Sequence, residues 1–416
     1  MTHVMHDKHS RFGRSKVRTL APLLAAAVIF AGCSSSSSSK STSPSVAPTA
    51  PAAASTPAST PASTAASTPG STPGSTAAST PGSTPASTAG STAGSTGGST
   101  AASTATTPGD LTSLTIGYSA WPGWFPLAVA DKEGIFTKAG LKVNLKYFVD
   151  YTASLDALVA GQLDVNAQTL NDTIFAVASG AKQKIIVVGD NSTGNDAVIC
   201  DKSITTIAGL KGKSIAAEAG VVDQFLLLQG LATVGLTQND IKFQGVKTDA
   251  AAAAFAGGQF DCAAVFAPFT LQALGRPGSH VLFSSKDFPG TIPDHLVATA
   301  DAAKNTVAMQ KLVNAWYMTL DYIAANPDAS TKIMADVAQL SVADYTSLAG
   351  GTTLFTATQA LSAFADRKGD PTSLVEMARR IDPFLVSSGL TTATADVSDL
   401  FDSSFTKSYV DHPAPG

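Results

Sequence analysis

Aromatic and polar side chains concentrate in the segments that follow predicted strands. The first such segment, residues 119–125, reads Ser-Ala-Trp-Pro-Gly-Trp-Phe and holds two of the three tryptophans of the chain. Proline and glycine stiffen and open this turn, and its indole rings offer flat faces on which a small molecule can stack. Later segments of the same kind carry carboxylates, amides and hydroxyls. This distribution predicts a small-molecule binding site.

Candidate ligand contacts are the residues of these segments with the weakest alternative structural role. They are Ser119, Trp121, Trp124, Asp150, Thr169, Asn171, Asn195, Glu218 and Phe269. Thr152, Asp172 and Asp223 stand near predicted helix starts, and N-capping is the favoured interpretation for them. Packing beneath the loop is the alternative for the two tryptophans, and a pocket role is favoured for at least one of them.

The charges of these segments predict a neutral or cationic ligand rather than a simple anion. The segments contain Asp150, Asp172, Asp196 and Glu218 but no Lys or Arg. A desolvated anion beside unpaired carboxylates costs several kcal/mol, which a helix N-terminus worth about 1–2 kcal/mol would not offset. A small nitrogen-containing compound could stack on tryptophan and donate to Glu218. Lys247 is a basic residue that could reach in and alter this balance.

Residue patterns typical of enzymes were sought and are missing. Gly-x-Ser-x-Gly does not occur, and Gly212-Lys213-Ser214 lacks the earlier glycine of a phosphate-binding loop because Ile207 stands there. His280, His295 and His412 are scattered, without the spacing of metal ligands. We therefore predict no catalytic residue, no metal and no cofactor.

The N-terminal segment predicts export and attachment to a membrane. Basic residues precede an apolar run, 20–32, that is too short to cross a bilayer, an order typical of a secretory signal. Ile29-Phe30-Ala31-Gly32-Cys33 resembles the bacterial lipobox, although Phe30 stands where Leu is usual. The resemblance implies removal of residues 1–32 and lipidation of Cys33 on the extracytoplasmic face of the cell membrane. An ordinary secretory signal that happens to contain a cysteine is the alternative.

Residues 33–108 predict a disordered tether. Beyond Cys33 this segment is almost entirely Ser, Thr, Pro, Ala and Gly, so it has no apolar periodicity to bury. Its span would be roughly 50 Å as a flexible coil and above roughly 200 Å as extended polyproline. That reach would carry a domain through a thick cell wall. The composition is also compatible with O-glycosylation.

Charge and cysteine content narrow the function further. The chain has 27 Lys and Arg against 31 Asp and Glu, and removal of the basic presequence makes the balance more acidic. No run of basic residues remains, which argues against nucleic-acid binding. After Cys33 only Cys200 and Cys262 remain; two buried thiols are favoured over a single disulfide. No second apolar stretch is long enough to cross a membrane.

Strands and helices alternate over the rest of the chain. The predicted strands are 114–118, 143–147, 164–168, 185–188, 214–217, 241–246, 262–266 and 296–299. The first predicted helix begins at Pro126. Further helices are predicted over 154–160, 173–179, 222–234, 250–256, 307–324, 330–338, 356–364 and 373–386. This alternation predicts parallel α/β sheets with helices on both faces.

An internal repeat predicts two similar lobes. Ala-Gly-Gln-Leu-Asp at 160–164 recurs as Gly-Gly-Gln-Phe-Asp at 257–261, each time between a helix and a strand. We assign 109–196 and 293–416 to lobe 1 and 197–292 to lobe 2. The last helices are expected to pack on lobe 1, and the two crossings between the lobes predict a hinge.

These motifs also resemble a known family. Residues 117–124, 133–136, 140–143, 160–164 and 210–213 are similar to segments of the NMT1-like solute-binding proteins of ABC importers for nitrate, aliphatic sulfonates, taurine and thiamine precursors. The resemblance spans residues 114 to about 390. It implies a two-lobed periplasmic-binding-protein fold, type II-like, that closes on a ligand and delivers it to a permease with an ATPase subunit.

The function expected from the sequence is thus a lipid-anchored, extracytoplasmic receptor for a small polar organic molecule. A nitrate, sulfonate or taurine receptor of the same fold is one alternative. An enzyme of the thiamine-pyrimidine synthase superfamily is a less favoured one, because the cysteine-rich motif of those enzymes has no counterpart here. A cell-wall adhesin is suggested by the tether alone.

Overall fold

A computed structural model describes residues 111–414 of the chain, all within one contact unit. Cys33, the predicted signal and the predicted tether lie outside these residues. The strands are β1 Thr112–Ser119, β2 Leu141–Phe148, β3 Val165–Thr169, β4 Gln183–Ser192, β5 Asp196–Cys200, β6 Ser214–Ala217, β7 Lys242–Gly245, β8 Cys262–Phe266, β9 His280–Ser284, β10 Pro293–Thr299 and β11 Thr352–Leu354.

The α-helices flank these strands and fill the C-terminal part. They are α1 Pro126–Lys132, α2 Ile135–Lys138, α3 Tyr151–Val159, α4 Leu170–Ala178, α5 Val222–Thr233, α6 Thr248–Ala256, α7 Phe269–Leu274, α8 Ala300–Ala303, α9 Thr306–Ala325, α10 Pro327–Ala338, α11 Val342–Ser347, α12 Ala357–Phe364, α13 Leu374–Ser387 and α14 Ser404–Asp411. As predicted, proline opens α1, where its missing N–H is not needed.

The strands form two sheets. The six-stranded sheet has the order β11-β4-β10-β3-β1-β2, and the five-stranded sheet has the order β7-β6-β8-β5-β9. β1 is parallel to β2 and β3, and β6 is parallel to β7 and β8. Helices cover the six-stranded sheet, and the middle of its strand β4, residues 185–188, is apolar and fully buried.

Both sheets are mixed rather than parallel throughout, which corrects the strand directions expected from the sequence. β10 runs antiparallel to β3 and β4, and β5 runs antiparallel to β8 and β9. The chain passes from one sheet to the other between Ser192 and Asp196 and returns between Ser284 and Pro293. A strand that follows such a short passage has no helical crossover to turn it parallel to its new neighbour.

Cys200 and Cys262 form a disulfide. They are opposite each other on the antiparallel strands β5 and β8, and both are fully buried. The expectation of two thiols was therefore wrong. The expectation failed because β5 was not predicted. Without β5, the cross-strand pairing that brings the two sulfur atoms together could not be foreseen.

Most of the C-terminal helices pack on the six-stranded sheet. α9 contacts β1, β2 and β4, and α12 and α14 also contact β4. α13 differs, because it packs on α4 while its Phe384 ring lies 5.6 Å from that of Phe225 in α5. α13 therefore bridges the layers of helices that belong to the two sheets. Across residues 111–414, no helix combines the length and the apolar character that crossing a membrane requires.

Candidate functional site

The candidate site is a small cavity between the two sheets, with about 10 Å³ of space for the centre of a water-sized molecule. Its lining residues come from both: Trp121, Trp124, Tyr151, Thr169 and Asp294 on the side of the six-stranded sheet, and Asp196, Val222 and Phe266 on the side of the five-stranded sheet. Thr169 is the cross-strand partner of Asp294, and Asp196 is the cross-strand partner of Phe266. Thr169 and Phe266 are the last residues of β3 and β8, so both pairs lie at the carboxyl ends of the parallel strands. Ligands of open α/β sheets bind at these strand ends.

A larger groove is a weaker candidate. It lies at the opposite ends of the strands of the six-stranded sheet, and its lining includes Gly161, Lys182 and Asn305. Among the residues of the chain that the structure describes, none that line this groove carries a buried polar side-chain atom without a partner. The small cavity, in contrast, has several.

Four aromatic rings surround the small cavity, and we call Trp121, Trp124, Tyr151 and Phe266 the aromatic box. The ring centroids are 6.5 Å apart for Trp121–Trp124 and 5.3 Å apart for Trp124–Tyr151. The distances are 6.2 Å for Tyr151–Phe266 and 6.4 Å for Phe266–Trp121. Each ring is thus next to two others, and the four form a closed circuit.

A short 3-10 helix, Pro122–Trp124, directs the two tryptophans into the box. Gly123 lies between them against Asp190, and a Cβ atom at this position would come within 2.2 Å of the Asp190 carboxylate. The indole Nε1 of Trp121 donates a hydrogen bond to Asp190 Oδ1 at 2.9 Å. Close approach of backbone and carboxylate therefore requires glycine here and holds Trp121 in one orientation.

Three buried carboxylates, Asp190, Asp196 and Asp294, gather on one side of the box. Asp190 and Asp294 face each other on β4 and β10. Burial raises the pKa of Asp190 and of Asp196 to about 7. Burial, with the nearby charges of Asp190 and Asp196, holds the pKa of Asp294 well above its ordinary value.

The carboxylate oxygens of this group are poorly satisfied. Both oxygens of Asp294 and one oxygen each of Asp190 and Asp196 are buried without a hydrogen-bond partner within residues 111–414. Trp124 Nε1 is also buried and lacks a partner in the same part of the chain. Because buried polar atoms are normally paired, these atoms mark a place where a ligand could supply the missing contacts.

A second polar network supports Tyr151 from behind. The Tyr151 hydroxyl donates to Asp172 Oδ2 at 2.9 Å, and Thr169 Oγ1 donates to the same oxygen at 2.6 Å. Asn171 Nδ2 donates to Asp172 Oδ1 at 2.7 Å. Burial raises the pKa of Asp172 to about 7. The network fixes the position of the Tyr151 ring in the aromatic box.

An ionic cluster beside the cavity joins the two sides of the molecule, and we call Asp150, Thr152, Glu218, Lys247 and Thr248 the clasp. Lys247 Nζ lies 2.8 Å from Asp150 Oδ1 and 3.1 Å from Glu218 Oε1. Thr152 and Thr248 donate their hydroxyls to Glu218. Burial opposes the charged form of Asp150, but the hydrogen bond and charge of Lys247, together with the backbone N–H groups of Ala153 and Thr152, outweigh it and lower the pKa of Asp150.

The predicted contact residues occupy five different places. Trp121, Trp124 and Thr169 line the cavity, whereas Asp150 and Glu218 belong to the clasp. Ser119 and Asn171 are buried and lie within two residues of Trp121 and Thr169 in sequence, but they do not line the cavity. The Phe269 ring lies behind that of Phe266, 5.7 Å from its centroid.

Asn195 takes a different place from the one expected. Its Nδ2 atom donates to the Leu348 carbonyl at 2.9 Å and to Thr352 Oγ1 at 2.8 Å, so its amide supports the passage between the sheets. Its side chain does not line the cavity.

The expected helix caps are also corrected. Asp150, not Thr152, caps α3 by accepting a hydrogen bond from the Ala153 N–H. Asp172 accepts from side chains at the start of α4, and Asp223 shares the Thr248 hydroxyl with Glu218, so neither carboxylate is the N-cap of its helix.

Sequence reasoning missed several residues of the cavity. Tyr151, Asp196 and Phe266 stood in the segments that were singled out, but other residues were preferred. Asp190 and Asp294 were overlooked, although each is a carboxylate close to the apolar run of its strand. That pattern is a usable signal, because a carboxylate in a central strand is buried at a cost and thus often marks a site.

Residues 107–339 match the model of the NMT1-like family. The chain belongs to the NMT1-like family. A protein of Brucella abortus (strain 2308) named as a binding protein is 29% identical over 233 residues, which are 54% of this chain and 72% of that protein. A protein of Escherichia coli (strain K12) named as an aliphatic sulfonates-binding protein is 29% identical over 213 residues, 48% of this chain and 63% of that protein.

Solved structures agree with this family assignment at the level of the fold. The alkanesulfonate-binding protein SsuA of Xanthomonas axonopodis pv. citri, bound to MOPS, aligns with a TM-score of 0.59 at 21% identity over 70% of this chain and 98% of that one. The periplasmic aliphatic sulphonate binding protein SsuA of Escherichia coli aligns with a TM-score of 0.57 at 23% identity, over 68% and 95% of the two chains. The predicted solute-binding-protein family and periplasmic-binding-protein fold are confirmed.

Proposed function

We propose that this NMT1-like protein is an extracytoplasmic receptor that captures a small polar organic molecule and delivers it to an ABC permease with its ATPase subunit. The cavity carries the proposal, because its walls come from both sheets on either side of the two chain passages. A ligand in it contacts both sides at once and stabilises their closed arrangement. The binding-protein names of the relatives support the same role.

The two passages between the sheets are the proposed hinge. Both passages are short. A hydrogen bond connects them, because Ser192 Oγ at the first passage lies 2.7 Å from Ser285 Oγ in the second. Closure would bend both passages together, with 109–196 and 293–416 as one lobe and 197–292 as the other. The closed form would be the one that docks on the permease.

A ligand screen tests the receptor proposal directly. Thermal-shift measurements on the full-length protein would use nitrate, taurine, alkanesulfonates, urea, polyamines and aminopyrimidines. We expect at least one compound to raise the Tm and, by small-angle scattering, to reduce the radius of gyration. Turnover of a compound by the purified protein would favour the enzyme alternative. Binding of cell-wall polymer without any response to small molecules would favour an adhesin.

An alkanesulfonate receptor is the second candidate. The names of the Escherichia coli relative and of the structural neighbours favour it. The buried carboxylates of Asp196 and Asp294, which line the cavity, argue against it, because a desolvated sulfonate beside their charged forms would be repelled. A rise in Tm with ethanesulfonate, and with no amine, would establish this candidate.

Attachment through a lipid on Cys33 is the remaining part of the proposal. The lipobox-like sequence that precedes Cys33 supports it. Replacing Cys33→Ser removes the thiol that would carry the lipid, so we expect the protein to appear in the medium or to remain uncleaved. Cell fractionation with an antibody measures this, with Ser41→Ala, outside the lipobox, as the control that leaves the lipobox and the disulfide intact. If the Cys33→Ser protein is recovered in the membrane fraction in the same amount as the unmodified protein, attachment through Cys33 is contradicted.

A further inference from the structure

We infer that the cavity binds a small organic cation with an alkylated ammonium group, held between the faces of the aromatic box and the carboxylates of Asp196 and Asp294. This inference rests on the proposed receptor function and names the chemical class of its ligand. It assigns the charge recognition to Asp196 and Asp294, with Asp190 behind Trp121.

The dimensions of the aromatic box suit a cation. Neighbouring ring centroids are 5.3–6.5 Å apart around the circuit. A point equally distant from four such rings lies roughly 4–5 Å from each, inside the range of about 6 Å over which a cation is attracted to an aromatic face. Aromatic faces on several sides recognise alkylated ammonium groups, whose charge is spread over their methyl or methylene surface.

The unpartnered carboxylates provide the second, independent observation. Asp196 and Asp294 line the cavity, are at least 98% buried and leave three oxygens without a partner among residues 111–414. A neutral ligand would leave any charge on them uncompensated. A cation would compensate that charge where solvent does not reach.

The protein does not balance these charges itself in the part that the structure describes. Within residues 111–414, no Lys, Arg or His lies within 4.0 Å of the carboxylates of Asp190, Asp196 or Asp294. Lys247 is held by Asp150 and Glu218 in the clasp. Burial raises the pKa of all three carboxyl groups, so protons neutralise them in the ligand-free protein, and a cationic ligand would take the place of those protons.

Titration calorimetry on the full-length protein tests the inference with three probes of similar size. Choline supplies the cation, its carbon isostere replaces the quaternary nitrogen by an uncharged carbon, and ethanesulfonate supplies an anion. We expect choline to bind at least about tenfold more tightly than the isostere, because only the cation gains from the ring faces and the carboxylates. Ethanesulfonate should give no heat of binding.

Two variants locate the charge recognition. Asp294→Asn preserves the shape of the side chain but removes its charge, so choline binding should weaken about tenfold or more while binding of the isostere changes little. Phe266→Leu removes one face of the box and should also weaken choline more than the isostere. Asp156→Asn is the matched control, because it changes the net charge equally at an exposed position of α3.

Each other outcome overturns the inference. Equal affinity for choline and its isostere would mean that the cavity selects apolar shape alone. Binding of ethanesulfonate but not choline would refute the cation and leave the receptor function standing. Tight binding of Ca²⁺ or Zn²⁺ in place of choline would assign the carboxylates to a metal. If no probe binds, the cation is refuted, and the broader thermal-shift screen decides the receptor function separately.

Discussion

Asp190 supports the candidate site without lining its cavity. It accepts the indole hydrogen bond of Trp121 and packs against Gly123, where the backbone leaves no space for a side chain. A carboxylate that is buried to orient an aromatic ring acts through that ring. Its loss should therefore be visible in the tryptophan signal as well as in ligand binding.

Gly123→Ala tests this arrangement. The new Cβ would lie 2.2 Å from Asp190 Oδ2, so the carboxylate must move and Trp121 loses its hydrogen bond. Overpacking of this kind costs about 1–3 kcal/mol, which corresponds to a Tm lower by about 3–10 °C. Near-ultraviolet circular dichroism should show an altered tryptophan signal. Gly350→Ala is the control, because nothing lies within 4 Å of its added Cβ, and an equal effect there would contradict the prediction.

At the residue level the sequence predicted the type of site better than its members. The tryptophan segment and the polar segments after the strands did contain Trp121, Trp124, Thr169 and Tyr151. Asp190 and Asp294 could not be paired from the sequence, because they meet only when β4 and β10 lie side by side in antiparallel register. That register depends on the return of the chain from the second sheet, a long-range contact that no local pattern encodes.

Among the elements, the clasp links the β2–α3 connection to the five-stranded sheet. Lys247→Met removes both ion pairs while keeping most of the apolar stem. Lys247 and Asp150 are partly exposed, and the buried Glu218 keeps the hydrogen bonds from Thr152 and Thr248. We therefore expect only a small effect: dissociation of a bound ligand faster by about two- to fivefold and a weaker dependence of that rate on salt.

Stopped-flow measurement of tryptophan fluorescence gives this rate. Lys332→Met is the matched control, because it removes an exposed ion pair with Asp336 within α10. If both variants release ligand at the rate of the unmodified protein, the clasp does not stabilise the closed arrangement.

The disulfide is a cross-strand connection within the five-stranded sheet. Cys200 and Cys262 are 62 residues apart in sequence, and closing a loop of that length stabilises the folded state by about 4 kcal/mol in the chain-entropy estimate. Reduction should thus lower the urea midpoint of unfolding substantially. The experiment is best done with Cys33→Ser, so that the reductant acts on one known bond. An unchanged midpoint, with two thiols detected by titration, would contradict the estimate.

Elements built from local pattern were predicted well, and those defined by long-range pairing were not. The strands and helices of the repeated unit appear within a few residues of their predicted bounds. β5 was missed because Asp196 followed a polar segment, although residues 197–200 form a short apolar run that is fully buried. β9 and β11 are short edge strands whose pairing partners decide their conformation.

For the molecule as a whole, the buried carboxylates predict an unusual dependence of stability on pH. Burial raises the pKa of Asp172, Asp190 and Asp196 to about 7, and that of Asp223 and Asp294 well above the ordinary value. Between pH 4 and 7 the folded state therefore binds more protons than the unfolded state. Stability should fall as pH rises through this range.

His295 works in the opposite direction. Burial lowers its pKa to about 3, so the unfolded chain gains a proton that the folded chain does not when the pH falls below about 6.5. One histidine is outweighed by five carboxylates, and we expect the ligand-free protein to have a higher Tm at pH 5.5 than at pH 8. Asp294→Asn should reduce that difference. A Tm that rises steadily from pH 5.5 to pH 8 would contradict the assignment.

The enclosure of the cavity by both sheets sets a limit on how quickly its contents can leave. Trp121, Tyr151 and Phe266 are almost completely buried, so a molecule held among them has no exit until the walls separate. Its residence time cannot be shorter than the waiting time for opening, however weak the individual contacts are. Release of a bound molecule therefore requires a conformational change, and in the proposed receptor function docking on the permease would be the event that triggers it.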